Sequence, residues 1–325
     1  KSWSNIGLEE THHIGRIVID PKNPNKIFVA ALGHLYSPNS ERGVYVSEDG
    51  GKNWKHSLKV NENTGGIDLV IDPSNSNIAY ASMWYRTRRA WNFEEAGTAS
   101  GIFKSSDGGN TWTLISTPAS GFLTGEKTGR IGLAIYPRNP QIVYAVVDNQ
   151  APINKKEGKE KDKLTKDELR KISQEDFLKI DMTKLKEFLE DNGFPPEYDA
   201  EKVFKMVSIN TIKPAALVEY LEDANTLLTN AEVIGAEVYR SDNGGASWRK
   251  THSEELEGIF STYGYYFSRI SVSPIDENKI YLMGVIAIKS TDGGETFKSI
   301  NEDNVHADHH FMWIDANRDG HLING

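Results

Sequence analysis

Short apolar runs, broken at regular intervals by turn residues, pattern this chain. Val44-Tyr45-Val46, Ile102-Phe103-Lys104, Val238-Tyr239-Arg240 and Ala287-Ile288-Lys289 each lead into one recurring segment. Its copies are Ser47-Glu48-Asp49-Gly50-Gly51-Lys52-Asn53-Trp54, Ser105-Ser106-Asp107-Gly108-Gly109-Asn110-Thr111-Trp112, Ser241-Asp242-Asn243-Gly244-Gly245-Ala246-Ser247-Trp248 and Ser290-Thr291-Asp292-Gly293-Gly294-Glu295-Thr296-Phe297. Each predicts strand, tight turn, strand. The paired glycines supply the positive φ of a tight hairpin, and Asp49, Asp107, Asn243 and Asp292 can bond the turn backbone. The closing Trp or Phe begins the next strand and can pack between sheets.

A second pattern alternates with the first. Ile17-Val18-Ile19-Asp20-Pro21-Lys22-Asn23-Pro24 returns as Leu69-Val70-Ile71-Asp72-Pro73-Ser74-Asn75-Ser76 and Leu133-Ala134-Ile135-Tyr136-Pro137-Arg138-Asn139-Pro140. A looser copy is Ile270-Ser271-Val272-Ser273-Pro274. Each marks a strand end and turn ahead of another β run. One repeat is thus strand A, Pro/Asn turn, strand B, variable loop, strand C, Gly-Gly turn, strand D. Four antiparallel strands per roughly 40–50 residues predict an all-β, multi-bladed β-propeller. A two-sheet sandwich leaves the recurrence unexplained. Four blades read as complete. Lys1-Ser2-Trp3 matches Lys52-Asn53-Trp54 and predicts the D strand of a partial blade; residues 309–315 and 321–323 predict strands A and B of another. A closed ring leaves no unpaired edge. More chain or a partner is therefore expected to complete it, and the chain reads as a fragment.

Residues 151–235 interrupt the blades of 1–150 and 236–325 with a charge-rich, helix-patterned insertion in the B–C loop of the third blade. Thr165 and Glu168 form a capping box, 182–191 carries an apolar stripe that stops at Gly193, Asp199 can cap a run holding Val203, Phe204 and Val207, and Pro214 opens a last helix. Residues 154–163, rich in Lys and Glu, read as a connector.

Composition then removes options. The 325 residues hold 37 Lys+Arg against 46 Asp+Glu, a net charge of -9 that argues against a partner tracked by its phosphates, so nucleic acid is excluded. With no cysteine there is no disulfide framework and no thiolate chemistry. No run approaches a membrane span, and the opening residues do not read as a secretory signal, as expected of a fragment with cut ends.

Short A–B and C–D turns share one face of such a disc; the irregular D–A and B–C loops share the other, where binding residues usually sit. That face collects His12, His13, His34, Tyr36, Tyr263, Tyr265, Tyr266, His306, Asp308, His309 and His310, the segment Trp84, Arg86, Arg88, Arg89 and Trp91, and the insertion. The Trp84–Trp91 stretch suits stacking on sugar rings or holding a peptide carboxylate, or simple packing against a neighbour. Arg16 and Asp68 share one strand-A position and are expected to pair near the channel; Arg269, at the matching place, is expected to face a ligand. In an extended chain His306, Asp308 and His310 point one way and could seat zinc. Asp315, Asn317 and Asp319 fit the opening of a calcium loop, although the repeat makes this an A–B turn. No cofactor is required. Glycoside hydrolysis needs two carboxylates flanking one bond; Glu9, Glu10, Asp68, Glu94, Glu95 and Asp308 lie on the right face, and no spacing singles out a pair.

The Ser-x-Asp-x-Gly-x-Thr-Trp segments resemble the Asp-box, or BNR, repeat. With His12-His13-Ile14-Gly15-Arg16, the Asp-Pro-x-Asn-Pro turns and Val305-His306-Ala307-Asp308-His309-His310, most of the chain is similar to the sortilin N-terminal type of propeller found in large bacterial proteins. The resemblance implies an extracytoplasmic propeller that binds peptides, proteins or glycans, with glycoside hydrolysis as the alternative. Asn243 and Phe297 depart from the repeat, and the Tyr nucleophile and arginine triad of sialidases cannot be placed.

Overall fold

The computed structural model describes residues 2–153, 163–221, 233–260, 263–301, 304–318 and 320–325. Strands β1 (His13–Ile19), β2 (Ile27–Gly33), β3 (Gly43–Ser47) and β4 (Lys55–Leu58) form the first four-stranded antiparallel sheet. The second joins β5 (Thr64–Asp72), β6 (Asn75–Tyr85), β9 (Gly101–Ser105) and β10 (Thr113–Leu114), with a small hairpin of β7 (Thr87–Arg89) and β8 (Asn92–Glu94) between β6 and β9. The third comprises β11 (Thr128–Ile135), β12 (Val143–Pro152), β13 (Val233–Ser241) and β14 (Arg249–Lys250). The fourth comprises β15 (Arg269–Val272), β16 (Ile280–Met283), β17 (Ala287–Ser290) and β18 (Lys298–Ser299). The first strands of successive sheets pack together: β1 beside β5, β5 beside β11, β11 beside β15. Four-stranded meanders arrayed along their first strands are the blades of a β-propeller. Apolar layers fill the spaces between them, such as Tyr80, Ile102, Leu133 and Val143 between the second and third.

The Gly-Gly hairpins explain why each blade turns where it does. The opening Ser Oγ accepts from the second glycine's N–H at 2.8 Å in all four copies, at Gly51, Gly109, Gly245 and Gly294. Asp49 Oδ1 accepts from Asn53 N at 2.9 Å, and the Asn53 amide holds that carboxyl at about 2. Asp107 and Asp292 repeat the bond. Asn243 keeps the geometry through its amide oxygen, which accepts from Ser247 N at 2.9 Å. The side-chain oxygens at these positions serve the turn.

The chain ends differ. β19 (Met312–Ile314) and β20 (Leu322–Asn324) form the expected A–B hairpin of a further blade. Residues 2–6 form no D strand and Trp3 is fully exposed, contrary to expectation: no C strand among the described residues pairs with them, and Lys1 lies outside the described residues. Ile17, Leu69, Leu133 and Ile270 share one repeat position, yet Ile17 is 58% exposed while the other three are at most 4% exposed. Ile270→Val, which trims a buried side chain, is therefore expected to cost about 0.5–1.5 kcal/mol, as read by chemical denaturation.

A second compact unit, Ile153–Glu232, is spliced between β12 and β13, inside the 151–235 interval. Its helices are α1 (Lys166–Lys171), α2 (Gln174–Phe177), α3 (Met182–Asp191), α4 (Ala200–Ser208) and α5 (Ala215–Leu221). Thr165 and Glu168 make the reciprocal capping box, and Asp199 caps α4 through Lys202 N. Leu169, Phe177, Leu185, Phe188, Val203, Val207 and Leu217 form its core. The expected connector lies, but for Lys163, outside the described residues. Among those residues no helix is long and apolar enough to cross a membrane.

Candidate functional site

Each A strand begins, and each B strand ends, on the irregular-loop face. At the centre, four residues at one repeat position converge: Arg16, Asp68, Gly132 and Arg269. Arg16 Nε donates to Asp68 Oδ1 at 2.7 Å, and Arg269 Nη1 lies 3.2 Å from the same oxygen. Leu69 N and Leu133 N, beside Gly132, also donate to this carboxylate, which is 1% exposed. Arg269 donates onward to Gly15 O. The Arg16–Asp68 pair forms as expected. Arg269, expected to face a ligand, is instead spent on it. Asp68, with every oxygen engaged, offers no free carboxylate for chemistry.

Above this hub the second blade supplies most of the polar groups. Trp84 is buried against Leu32 and Ile67, with Tyr265 packed on it, and its indole N–H donates to Glu95 O at 2.6 Å. Arg86 and Arg130 hold their guanidinium carbons 5.4 Å and 5.9 Å from the Trp84 ring, within cation–π range. Arg130 donates to Tyr265 O, and burial lowers its pKa to about 9. Arg86 is 8% exposed; its Nε and Nη2 have no hydrogen-bond partner among the described residues, and burial lowers it to about 10. Arg88 stacks over Phe93 in the β7–β8 hairpin, which meets Tyr265 edge-on. Arg89 and Trp91 are exposed at its tip.

Two carboxyls share this neighbourhood. Burial, then the nearby Asp148, raises Glu95 to about 8; burial raises Asp148 to about 6. Each keeps one buried oxygen without a partner among the described residues. Gly264 lies over Asp148 so closely that a Cβ there would sit 2.1–2.3 Å from the carboxyl atoms. Glu94 is exposed and tied to Tyr85 and Thr87. Glu9 and Glu10 are exposed on the turn before β1.

Aromatic rings carry the face onward. Tyr265 contacts Tyr263 and Tyr266, and His310 stacks on Phe267 and meets Tyr266 at 5.5 Å. Trp84 and His310 are thereby linked on one face, and Tyr263, Tyr266 and Phe311 stay exposed. His309 turns inward, with both ring nitrogens against the Asn301 and Asn324 amides. Asp308 adopts φ 77°, which breaks the alternation expected of His306, Asp308 and His310; exposed His306 bonds Ala307 O. At the last hairpin Asp315 accepts from Asn317 N and meets the His321 ring, as an A–B turn does; Asp319 lies outside the described residues. On the first blade His13 bonds Gly33 O, while the His12 and His34 rings meet at a tilt with centroids 3.9 Å apart.

Sequence reasoning missed Arg130 and Asp148. Gly129-Arg130-Ile131 repeats Gly15-Arg16-Ile17 two places nearer the strand start, and that was a usable signal. Asp148 closes an apolar run, as many surface acids do, and carried none.

No protein-family model and no curated protein matches the chain. Among solved structures it is similar to an ancestral GH74 enzyme, at 16% identity and a TM-score of 0.49 over 98% of this chain and 28% of that one. It is also similar to the GH74 xyloglucanase of Xanthomonas campestris (14%, 0.44, 86% and 28%) and to YCF48 bound to D1 peptide (9%, 0.34, 94% and 87%). The chain thus spans under a third of the GH74 enzymes' length. Likenesses at this level carry no argument about activity, and the propeller assignment stands on the sheet order and the packing of first strands.

Proposed function

We propose that the loop face is a ligand-binding surface and that the protein is a binding or scaffold module for an extended peptide, protein or glycan carrying an anionic group. The observation that supports it is Arg86: a nearly buried guanidinium with two unpartnered nitrogens, at the head of a row of aromatic rings. Arginine is the side chain suited to a carboxylate, and exposed rings such as Trp91 and Tyr266 suit stacking on sugars or apolar side chains. The resemblance to Asp-box propellers of the sortilin type points the same way and adds the proposal of an extracytoplasmic location.

Glycoside hydrolysis is the second reading, favoured by the Glu95 and Asp148 carboxyls with their raised pKa values. The Gly264 backbone covering Asp148 counts against it. Peptide and glycan arrays, followed by titration of the best ligand, test both. Arg86→Gln, with its fold checked by thermal melting, is expected to weaken binding about 10–100-fold, the worth of a charge-assisted hydrogen bond. Unchanged affinity in that variant defeats the binding reading at this site. Saccharide turnover that disappears in Glu95→Gln while binding survives makes the protein a hydrolase.

A further inference from the structure

The first blade carries a grouping that the loop-face ligand does not require. Among the described residues, Glu10, His12 and His34 are the one group of three whose potential ligand atoms lie within 4.8 Å of one another. We propose that these three residues form a zinc site with an open fourth position, independent of the binding reading above.

The histidine that the fold holds in place is His34. Its Nδ1 lies 2.9 Å from Ser37 Oγ, and its Nε2 is buried with no partner among the described residues. A ring whose Nδ1–H donates to a hydroxyl presents Nε2 as a lone pair, as metal-bound histidines do. The segments bearing the ligands are also riveted together. Arg42, 1% exposed, donates to His34 O and Ser37 O and so fixes the turn behind the imidazole. Asn39 donates from the same loop to Glu10 O at 3.1 Å, tying the turn of residues 9–11 to it. His12 follows at φ 51°, which brings its ring over His34 with centroids 3.9 Å apart and planes inclined by 38°. Donors on a tetrahedral ion lie about 3–3.5 Å apart. Glu10 and His12 are exposed, so the movement that closes the set falls on their side chains.

Donor chemistry selects the metal. Two imidazoles and one carboxylate suit a borderline divalent ion such as zinc, whereas calcium and magnesium want a fuller shell of hard oxygens. Three protein ligands leave one coordination position for water or for a donor atom of an incoming molecule.

The test is metal binding itself. Tag-free chain is stripped with a chelator and titrated with zinc chloride against a chromophoric zinc indicator; bound metal is then counted by elemental analysis after gel filtration. One equivalent with Kd below about 10 µM is expected. Glu10→Gln should weaken it at least about tenfold. His12→Ala should abolish it, with the fold of the metal-free variant checked by thermal melting. No bound equivalent at that concentration, or one that survives His12→Ala, overturns the assignment. An equivalent lost with His306→Ala instead belongs to the other histidine cluster and also overturns it.

Discussion

Asp68→Ala is expected to destabilise the propeller by about 3–5 kcal/mol, the cost of removing one partner from a buried charge network. Asp68 is nearly fully buried and serves three first strands at once: its own through Leu69 N, β1 through Arg16, and β11 through Leu133 N. Arg269 adds the fourth blade. Alanine leaves two partly buried guanidinium groups and the Leu133 N–H without their acceptor, and it does so where four blades meet. Arg16→Met should cost less, because Asp68 retains its other donors and the Arg16 side chain is 28% exposed. Urea denaturation of both variants and of the double mutant provides the cycle. A network predicts that the double mutant loses less than the sum of the singles. Strict additivity would mean that the carboxylate acts mainly on the backbone.

The architecture was legible because each blade announces itself twice, once by a Pro/Asn turn and once by a Gly-Gly hairpin. Those signals are local, since Ser105 and Asp107 bond groups within four residues of themselves. The Arg16–Asp68 pair was legible for a related reason: equal repeat positions in adjacent blades become neighbours in space. The Arg86, Glu95, Asp148 and Tyr265 neighbourhood was only partly legible. It draws on the residue joining β6 to β7, the loop after β8, β12 and the loop before β15, and no spacing in one chain encodes that meeting. The histidine segment failed for a local reason. An alternating pattern predicts a shared direction only while the backbone stays extended, and Asp308, in the left-handed region, ends it. His12 and His34 were singled out separately, and the fold supplies their contact.

Glu95 is expected to give the protein a stability that falls as pH rises from about 4.5 to about 8. Burial and the neighbouring Asp148 raise its folded-state pKa to about 8, and only Arg88 pulls the other way. Below pH 4.5 the carboxyl is protonated in the folded and unfolded chains alike, and it contributes no penalty. Between the two values the unfolded chain releases the proton while the folded chain keeps it, so rising pH favours unfolding at up to about 1.4 kcal/mol per unit. Asp148, raised to about 6, adds a slope of the same sign at lower pH. Glu95→Gln preserves the shape and cannot ionise. It should flatten the upper part of the curve and exceed the parent in stability at pH 8 by about 1–3 kcal/mol, measured by denaturation across pH 5–8. A variant whose curve runs parallel to the parent's would place the titration elsewhere. The same proton bears on recognition. While Glu95 is neutral, the Arg88 charge is left for an anionic ligand; once it ionises, a carboxylate of the protein competes for that charge. Affinity for such a ligand should therefore decline as pH passes 8 in the parent and stay level in Glu95→Gln.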